Sequence, residues 1–132
     1  ENIVFPIHPR TKKAIQKIKS VNCENISFIE PVGYLDMLSL EINARKILTD
    51  SGGIQKEAFW CGVPCVTLRK ETEWVETVEA RWNVLVGSNA ERIIEAVKTT
   101  RPGSEDRTSY GDGRATQQIV RELIRLLEDK KL

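Results

Sequence analysis

The stretch Thr49-Asp50-Ser51-Gly52-Gly53-Ile54-Gln55-Lys56-Glu57-Ala58 constrains this chain more than any other. An apolar run at Ile47 and Leu48 gives way without a spacer to Asp-Ser-Gly-Gly and then to helix-forming residues. That order predicts a buried strand turning directly into a helix whose first backbone N–H groups have no partner within the helix. Two glycines at the turn let another molecule approach the main chain. The uncovered N–H groups and the positive end of the helix dipole favour an anion, most often a phosphate. A phosphorylated ligand is therefore the first functional expectation.

Short apolar runs alternate with helical patterns along the rest of the chain. Strands are predicted at 2–7, 26–29, 46–49, 64–68 and 83–86. Helices are predicted at 11–20, where Ala14, Ile15 and Ile18 share a face, and at 34–44, with Leu35, Leu38 and Ile42 on one stripe. The helix after Gly53 should stop at Gly62, supported by Pro64. Further helices are expected at 75–81, at 90–99 with Ile93, Ile94 and Val97 inward, and at about 115–128 with Ile119, Leu123, Leu126 and Leu127 toward the core. Residues 101–113, rich in Gly, Ser, Asp and Pro, read as a loop. Strands alternating with helices imply an α/β fold, a doubly wound parallel sheet with helices on both faces.

Ligands of such sheets bind at the carboxyl ends of the strands. His8-Pro9-Arg10 follows the first strand, Asp50-Ser51-Gly52-Gly53 the third and Arg69-Lys70-Glu71-Thr72-Glu73 the fourth. All three clusters are expected on one edge of one sheet. Each residue also has a plainer reading. Ser51 can simply cap its helix, contributing about 1 kcal/mol. Asp50 beside a phosphate would repel it and suits a structural role in the loop. Glu57, one turn beyond Gly53, can accept from two vicinal hydroxyls or be a solvated surface side chain. Arg69 can meet a ligand or pair with Glu71 or Glu73. His8 can be chemical or structural. Trp60, Trp74 and Trp82 read as packing residues, with Trp74 placed to line a cleft.

Composition mainly excludes. A chain of 132 residues, 40% of them hydrophobic, reads as one domain with a real core. Twenty Lys and Arg against nineteen Asp and Glu leave a net charge of +1, without a block of like charge to suggest nucleic acid or a membrane surface. The apolar runs fall far short of the roughly 20 residues a bilayer span needs, so a cytoplasmic protein is expected. Cys23, Cys61 and Cys65 cannot all pair within one chain and His8 is the single histidine, so reduced thiols and no metal are expected. The chain opens at Glu1 with a segment that already reads as a strand, which suggests part of a longer protein.

A helix N-terminus contributes roughly 0.3–1 kcal/mol toward an anion, up to about 2 when partly buried. Micromolar affinity needs about 8 kcal/mol. Base and ribose contacts must therefore add to phosphate contacts, and a nucleotide fits better than free phosphate.

The residues resemble those of the non-hydrolysing UDP-N-acetylglucosamine 2-epimerases. The resemblance is carried, in the family's order, by the run from Thr49 to Ala58, Gly62-Val63-Pro64, Leu68-Arg69-Lys70-Glu71-Thr72-Glu73, Asn83-Val84-Leu85-Val86-Gly87 and Tyr110-Gly111-Asp112-Gly113-Arg114-Ala115. It implies that residues 1–132 are the C-terminal, UDP-binding, Rossmann-like domain of a glycosyltransferase-B-type two-domain fold, closed by the helix near 115–128. The implied reaction is a cofactor-independent conversion of UDP-N-acetylglucosamine to UDP-N-acetylmannosamine. UDP is eliminated as the C2 proton leaves, and re-adds to the glucal with C2 inverted. The main proton-transfer carboxylates are expected in the missing N-terminal half. Here Ser51, Gly52 and Gly53 would bind the diphosphate and Glu57 the ribose, with Arg69 in support. The turn at 30–37, including Met37, would cradle uracil, and His8 would approach the diphosphate or sugar. The implied partners are UDP, the UDP-N-acetylhexosamine and the N-terminal domain. A full-length homodimer feeding polysaccharide biosynthesis is also implied.

The chain departs from the family pattern in places. His8-Pro9-Arg10-Thr11-Lys12 stands where many bacterial members have His-Arg-Arg-Glu-Asn, a segment linked there to allosteric activation. Trp74-Val75 replaces a common Arg-Pro, and Arg81 stands where glycine is frequent. If that glycine supplies a positive φ, Arg81 should strain the turn. The alternatives are the nucleotide-binding domain of a UDP-sugar glycosyltransferase, or a binding module without activity of its own.

Overall fold

A computed structural model describes residues 1–15, 17 and 24–129. The expected helical residues 16 and 18–20, Ile18 among them, and Cys23 lie outside the described residues. The chain divides into two compact units, Glu1–Asn43 and Ala44–Leu132.

In the first unit, β1 (Ile3–Pro6) and β2 (Ile26–Ile29) pair in parallel, Phe5 beside Phe28. Helix α1 (Pro9–Ile15) begins two residues earlier than its apolar pattern suggests. Pro9 is suited to that first position because its ring fixes φ and the missing N–H would have had no helical partner. Helix α2 (Tyr34–Ile42) follows. Its expected apolar stripe is largely uncovered, with Leu35 and Ile42 77% and 56% exposed.

In the second unit, β3 (Ile47–Thr49), β4 (Cys65–Thr67) and β5 (Asn83–Leu85) form a parallel sheet in the order β3-β4-β5. The fold is thus α/β and parallel, as read from the sequence, but the described strands hydrogen-bond as two sheets instead of one. Strand spacing encodes that strands exist and run parallel; which non-neighbouring strands pair is set by contacts distant in sequence.

The β4 pleat explains why helices cover both faces of the second sheet. Cys65 joins Ile47, Ala58 and Val63 in a cluster that includes residues of α3 (Gly52–Cys61). Val66, the next residue, faces the other way and joins Val86 and Ala96, with Ile93 and Val97 of α5 (Ala90–Thr99) against them. Successive strand side chains point to opposite faces, so one short strand seeds both layers. Ile94, expected inward, is 55% exposed because the face set by Ile93, Ala96 and Val97 leaves it on the far side.

Helix α4 (Val75–Glu79) leads into β5, and a 3₁₀ turn at Thr108–Tyr110 interrupts the expected loop. Helix α6 (Ala115–Asp129) forms as expected, but none of its residues is buried. Ile119, Leu123, Leu126 and Leu127 are at least half exposed, which corrects their expected inward placement. Periodicity defines an apolar face but not what covers it. Among the described residues, no helix is long and apolar enough to cross a membrane.

Candidate functional site

The carboxyl ends of β3 and β4 are adjacent because the two strands pair in register, Thr49 beside Thr67. The Ser51-Gly52-Gly53 turn and the arm Arg69–Trp74 leave the sheet from these neighbouring ends. Two of the three expected polar clusters therefore meet at one sheet edge. The third, with His8, belongs to the first unit, as does Met37.

At the turn, Ser51 occupies the N-cap position in extended conformation, but its side chain makes no capping bond. Its N–H donates instead to the Thr49 hydroxyl at 3.0 Å. The first backbone bond of the helix runs from Gln55 N–H to the Ser51 carbonyl at 3.2 Å. The N–H groups of Gly52, Gly53 and Ile54 consequently project from the helix end, as its geometry requires. The cap-only reading of Ser51 loses its expected hydrogen bond. Glu57 sits half-buried on the same helix.

The arm is built on a buried polar network that the sequence reading did not identify. Gln55 is fully buried, and its Oε1 accepts from the Thr72 hydroxyl at 2.6 Å and from Asn83 Nδ2 at 3.1 Å. Asn83 Nδ2 also donates to Thr77, and Asn83 Oδ1 accepts from the Thr67 hydroxyl at 2.7 Å. Thr72 Oγ1 in turn accepts the Trp74 N–H at 3.0 Å. One glutamine thus ties α3, β5 and the arm together at the sheet edge. Burying a polar group costs several kcal/mol unless it is hydrogen-bonded, so this network holds the arm only while each partner is present.

On the outer side, Lys56 Nζ lies 4.8, 4.4 and 5.1 Å from the ring centres of Trp60, Trp74 and Tyr110. Tyr110 meets Trp60 and Trp74 edge-on and donates its hydroxyl to Glu76 Oε2 at 2.8 Å. Trp60 and Trp74 are accordingly cage walls and not core residues. Only Trp82 is buried as expected, with its Nε1 donating to the Ser104 carbonyl. Loss of solvent contact and the adjacent Glu76 carboxylate push Tyr110 well above the ordinary tyrosine value. Glu76 is held below the ordinary glutamate value by its own backbone N–H and by Tyr110.

Arg69 pairs with Glu73, the alternative left open by the sequence, through Nη2 to Oε2 at 3.1 Å. The Glu73 carboxyl is held low by its own backbone N–H and then by Arg69. This carboxylate lies against Gly52: a β-carbon placed there would collide with Glu73 Oε1 and come within 3.3 Å of Trp74 Nε1.

In the first unit, His8 acts as the cap of α1. Its Nδ1 accepts the Arg10 N–H at 3.3 Å and its carbonyl the Lys12 N–H at 3.0 Å. Met37, half-buried in the first turn of α2, donates its N–H to the Gly33 carbonyl. Lys12 also pairs with Glu30. Among the described residues, no three His, Cys, Asp or Glu side chains are grouped to hold a metal ion.

Residues 1–124 match the family model described as UDP-N-acetylglucosamine 2-epimerase. A curated protein of Methanococcus maripaludis, a UDP-N-acetylglucosamine 2-epimerase homolog, is 53% identical over 96% of this chain and 37% of its own length. The solved structure of the UDP-GlcNAc 2-epimerase from Methanocaldococcus jannaschii superposes with a TM-score of 0.85 at 46% identity, over 95% of this chain and 36% of that one. A second structure of that enzyme, in complex with UDP-GlcNAc and UDP, superposes with a TM-score of 0.79 over the same shares. The chain spans little more than a third of the length of these relatives. With a parallel α/β core and an Asp-Ser-Gly-Gly turn at the sheet edge, it belongs to the UDP-N-acetylglucosamine 2-epimerase family.

Proposed function

We propose that residues 1–132 serve as the C-terminal UDP-binding domain of an enzyme that interconverts UDP-N-acetylglucosamine and UDP-N-acetylmannosamine. The observation that carries the reading is the junction of the Ser51-Gly52-Gly53 helix mouth with the Arg69 arm at paired strand ends, in a chain 46% identical to an epimerase solved with UDP-GlcNAc and UDP. Ser51, Gly52 and Gly53 would hold the diphosphate, Glu57 the ribose hydroxyls and Arg69 a phosphate oxygen. Met37 would lie at the uracil, and His8 at the diphosphate or sugar. Fixed N–H donors aimed at a leaving diphosphate stabilise the charge that develops as the C1–O bond breaks, which is electrostatic catalysis. The N-terminal domain would supply the carboxylates that remove and return the C2 proton. The full-length enzyme would be a cytoplasmic homodimer in polysaccharide precursor synthesis.

Titration of this chain with UDP tests the binding role. Saturable binding, weakened at least tenfold by both Ser51→Ala and Glu57→Ala, supports it. Binding indifferent to both substitutions would remove the helix mouth from the site. The activity is tested by assaying UDP-N-acetylmannosamine formation with the full-length protein. This chain alone should show no turnover, and turnover by it would contradict the division of labour between domains.

A further inference from the structure

Glu73 is the one carboxylate placed directly against the helix mouth among the described residues of the arm. Its Oε1 lies where a β-carbon of Gly52 would be, and Trp74 Nε1, a buried N–H without a partner among the described residues, lies beside the same point. Both carboxylate oxygens take the Arg69 guanidinium, Oε2 from Nη2 at 3.1 Å and Oε1 from Nη1 at 3.4 Å. An anion at this point thus has the three surroundings a phosphate oxygen would use: a helix N-terminus, a guanidinium and an indole N–H. The arm is fixed there from two sides, by Thr72 on Gln55 and by Trp74 in the Lys56 cage. The Glu73 side chain itself is only half-covered.

We propose that the Glu73 carboxylate is an intramolecular stand-in for the ligand's phosphate, which must swing aside, releasing Arg69 and leaving the unpartnered Trp74 indole N–H to the ligand, before the diphosphate can seat. This rests on the UDP-binding reading above. It turns Arg69 from a residue committed to an ion pair into one exchanged between two anions, and it makes ligand affinity a competition between Glu73 and the ligand. It also follows that a ligand lacking phosphates does not feel Glu73.

The test compares wild type, Glu73→Gln and Glu71→Gln for binding of UDP and of uridine by calorimetry, with amide spectra to verify that each variant is folded. Glu71→Gln removes the same charge from an exposed position on the same arm and controls for general electrostatics. The expected result is UDP binding tightened about five- to tenfold by Glu73→Gln, less than about twofold by Glu71→Gln, and uridine binding unchanged in both. Unchanged or weaker UDP binding by Glu73→Gln overturns the proposal while leaving the UDP site standing. So does equal tightening by both variants. Absence of UDP binding by wild type and variants alike would overturn the binding reading, and this proposal with it.

Discussion

Gly62 and Arg81 hold the same left-handed backbone conformation, with φ of 70° and 63°, at equivalent places after two helices. Val63 N–H reaches the Ala58 carbonyl and Gly62 N–H that of Phe59. Trp82 N–H and Arg81 N–H make the same pair of bonds to Thr77 and Val78. This is the paired-bond helix stop that favours glycine, and the chain uses glycine once and arginine once.

For an L-residue that conformation costs roughly 1–2 kcal/mol, against about 0.5–1 kcal/mol of extra unfolded-chain entropy when glycine replaces it. Arg81 is exposed, so Arg81→Gly should stabilise the protein by about 0.5–1 kcal/mol, read as a raised urea midpoint with unchanged slope. Gly62→Ala should do the reverse and by more, because its β-carbon would also collide with the Arg107 guanidinium that donates to the Trp60 carbonyl at 2.9 Å. Equal midpoints for wild type and Arg81→Gly would mean the turn bears no strain.

Gln55 is the residue whose loss should loosen the arm. Gln55→Leu keeps most of the volume but removes the acceptor for Thr72 and Asn83. Leaving buried donors unsatisfied costs about 1–3 kcal/mol, so a loss of that size is expected on urea denaturation. Trypsin should at the same time cut faster after Arg69 or Lys70 in the folded protein. Loss of stability with unchanged cleavage would show that Gln55 serves the core alone.

The Tyr110–Glu76 bond predicts a pH signature at both ends. Glu76 has a folded value below its ordinary 4.5, so its contribution is present above that value and is lost as pH falls through the lower folded one. Tyr110 has a folded value above its ordinary 10.0, so its contribution is full below that pH and disappears as pH rises through the higher folded one. The melting temperature of Tyr110→Phe should therefore approach that of wild type toward acid pH and fall below it near neutrality. In ultraviolet titration, wild type should show a tyrosine ionising well after pH 10, and the variant should lack it. Parallel melting curves across the whole acid range would remove Glu76 as the partner.

How much of this was legible in the residues depended on the range of the interaction. Five strands and the helix after Gly53 follow from local periodicity and turn chemistry, and α5 matches its expected bounds, Ala90–Thr99. The positive φ at Arg81 was foreshadowed by a departure from a family glycine. Pairing of Arg69 with Glu73 was visible as a four-residue spacing, although the choice between Glu71 and Glu73 was not. The Gln55 network was invisible because it joins residues 17 and 28 positions apart. A glutamine in an early helical turn gives no sign of burial. The Lys56 cage was hidden for the same reason, since Tyr110 reaches Trp60 and Trp74 from a stretch that composition marks only as loop. The exposed apolar face of α6 shows the converse limit: periodicity defines such a face but carries no information about what covers it.

The two glycines of the helix mouth should respond differently to the same substitution. A β-carbon on Gly53 would meet only Ser51 Oγ at 3.8 Å, an ordinary contact, whereas on Gly52 it would strike the Glu73 carboxylate. Alanine in place of glycine within a helix adds up to about 1 kcal/mol of stability, so Gly53→Ala should be neutral or stabilising and Gly52→Ala should gain less, or lose, as the Glu73 carboxylate is pushed off Arg69. Any fall in UDP affinity in Gly53→Ala would then arise from obstructed approach to the main chain and not from misfolding. Denaturation and UDP titration of both variants separate the effects. Equal destabilisation by both would mean that this turn needs glycine for its own backbone, which would take away the reason to read its second glycine as room for a ligand.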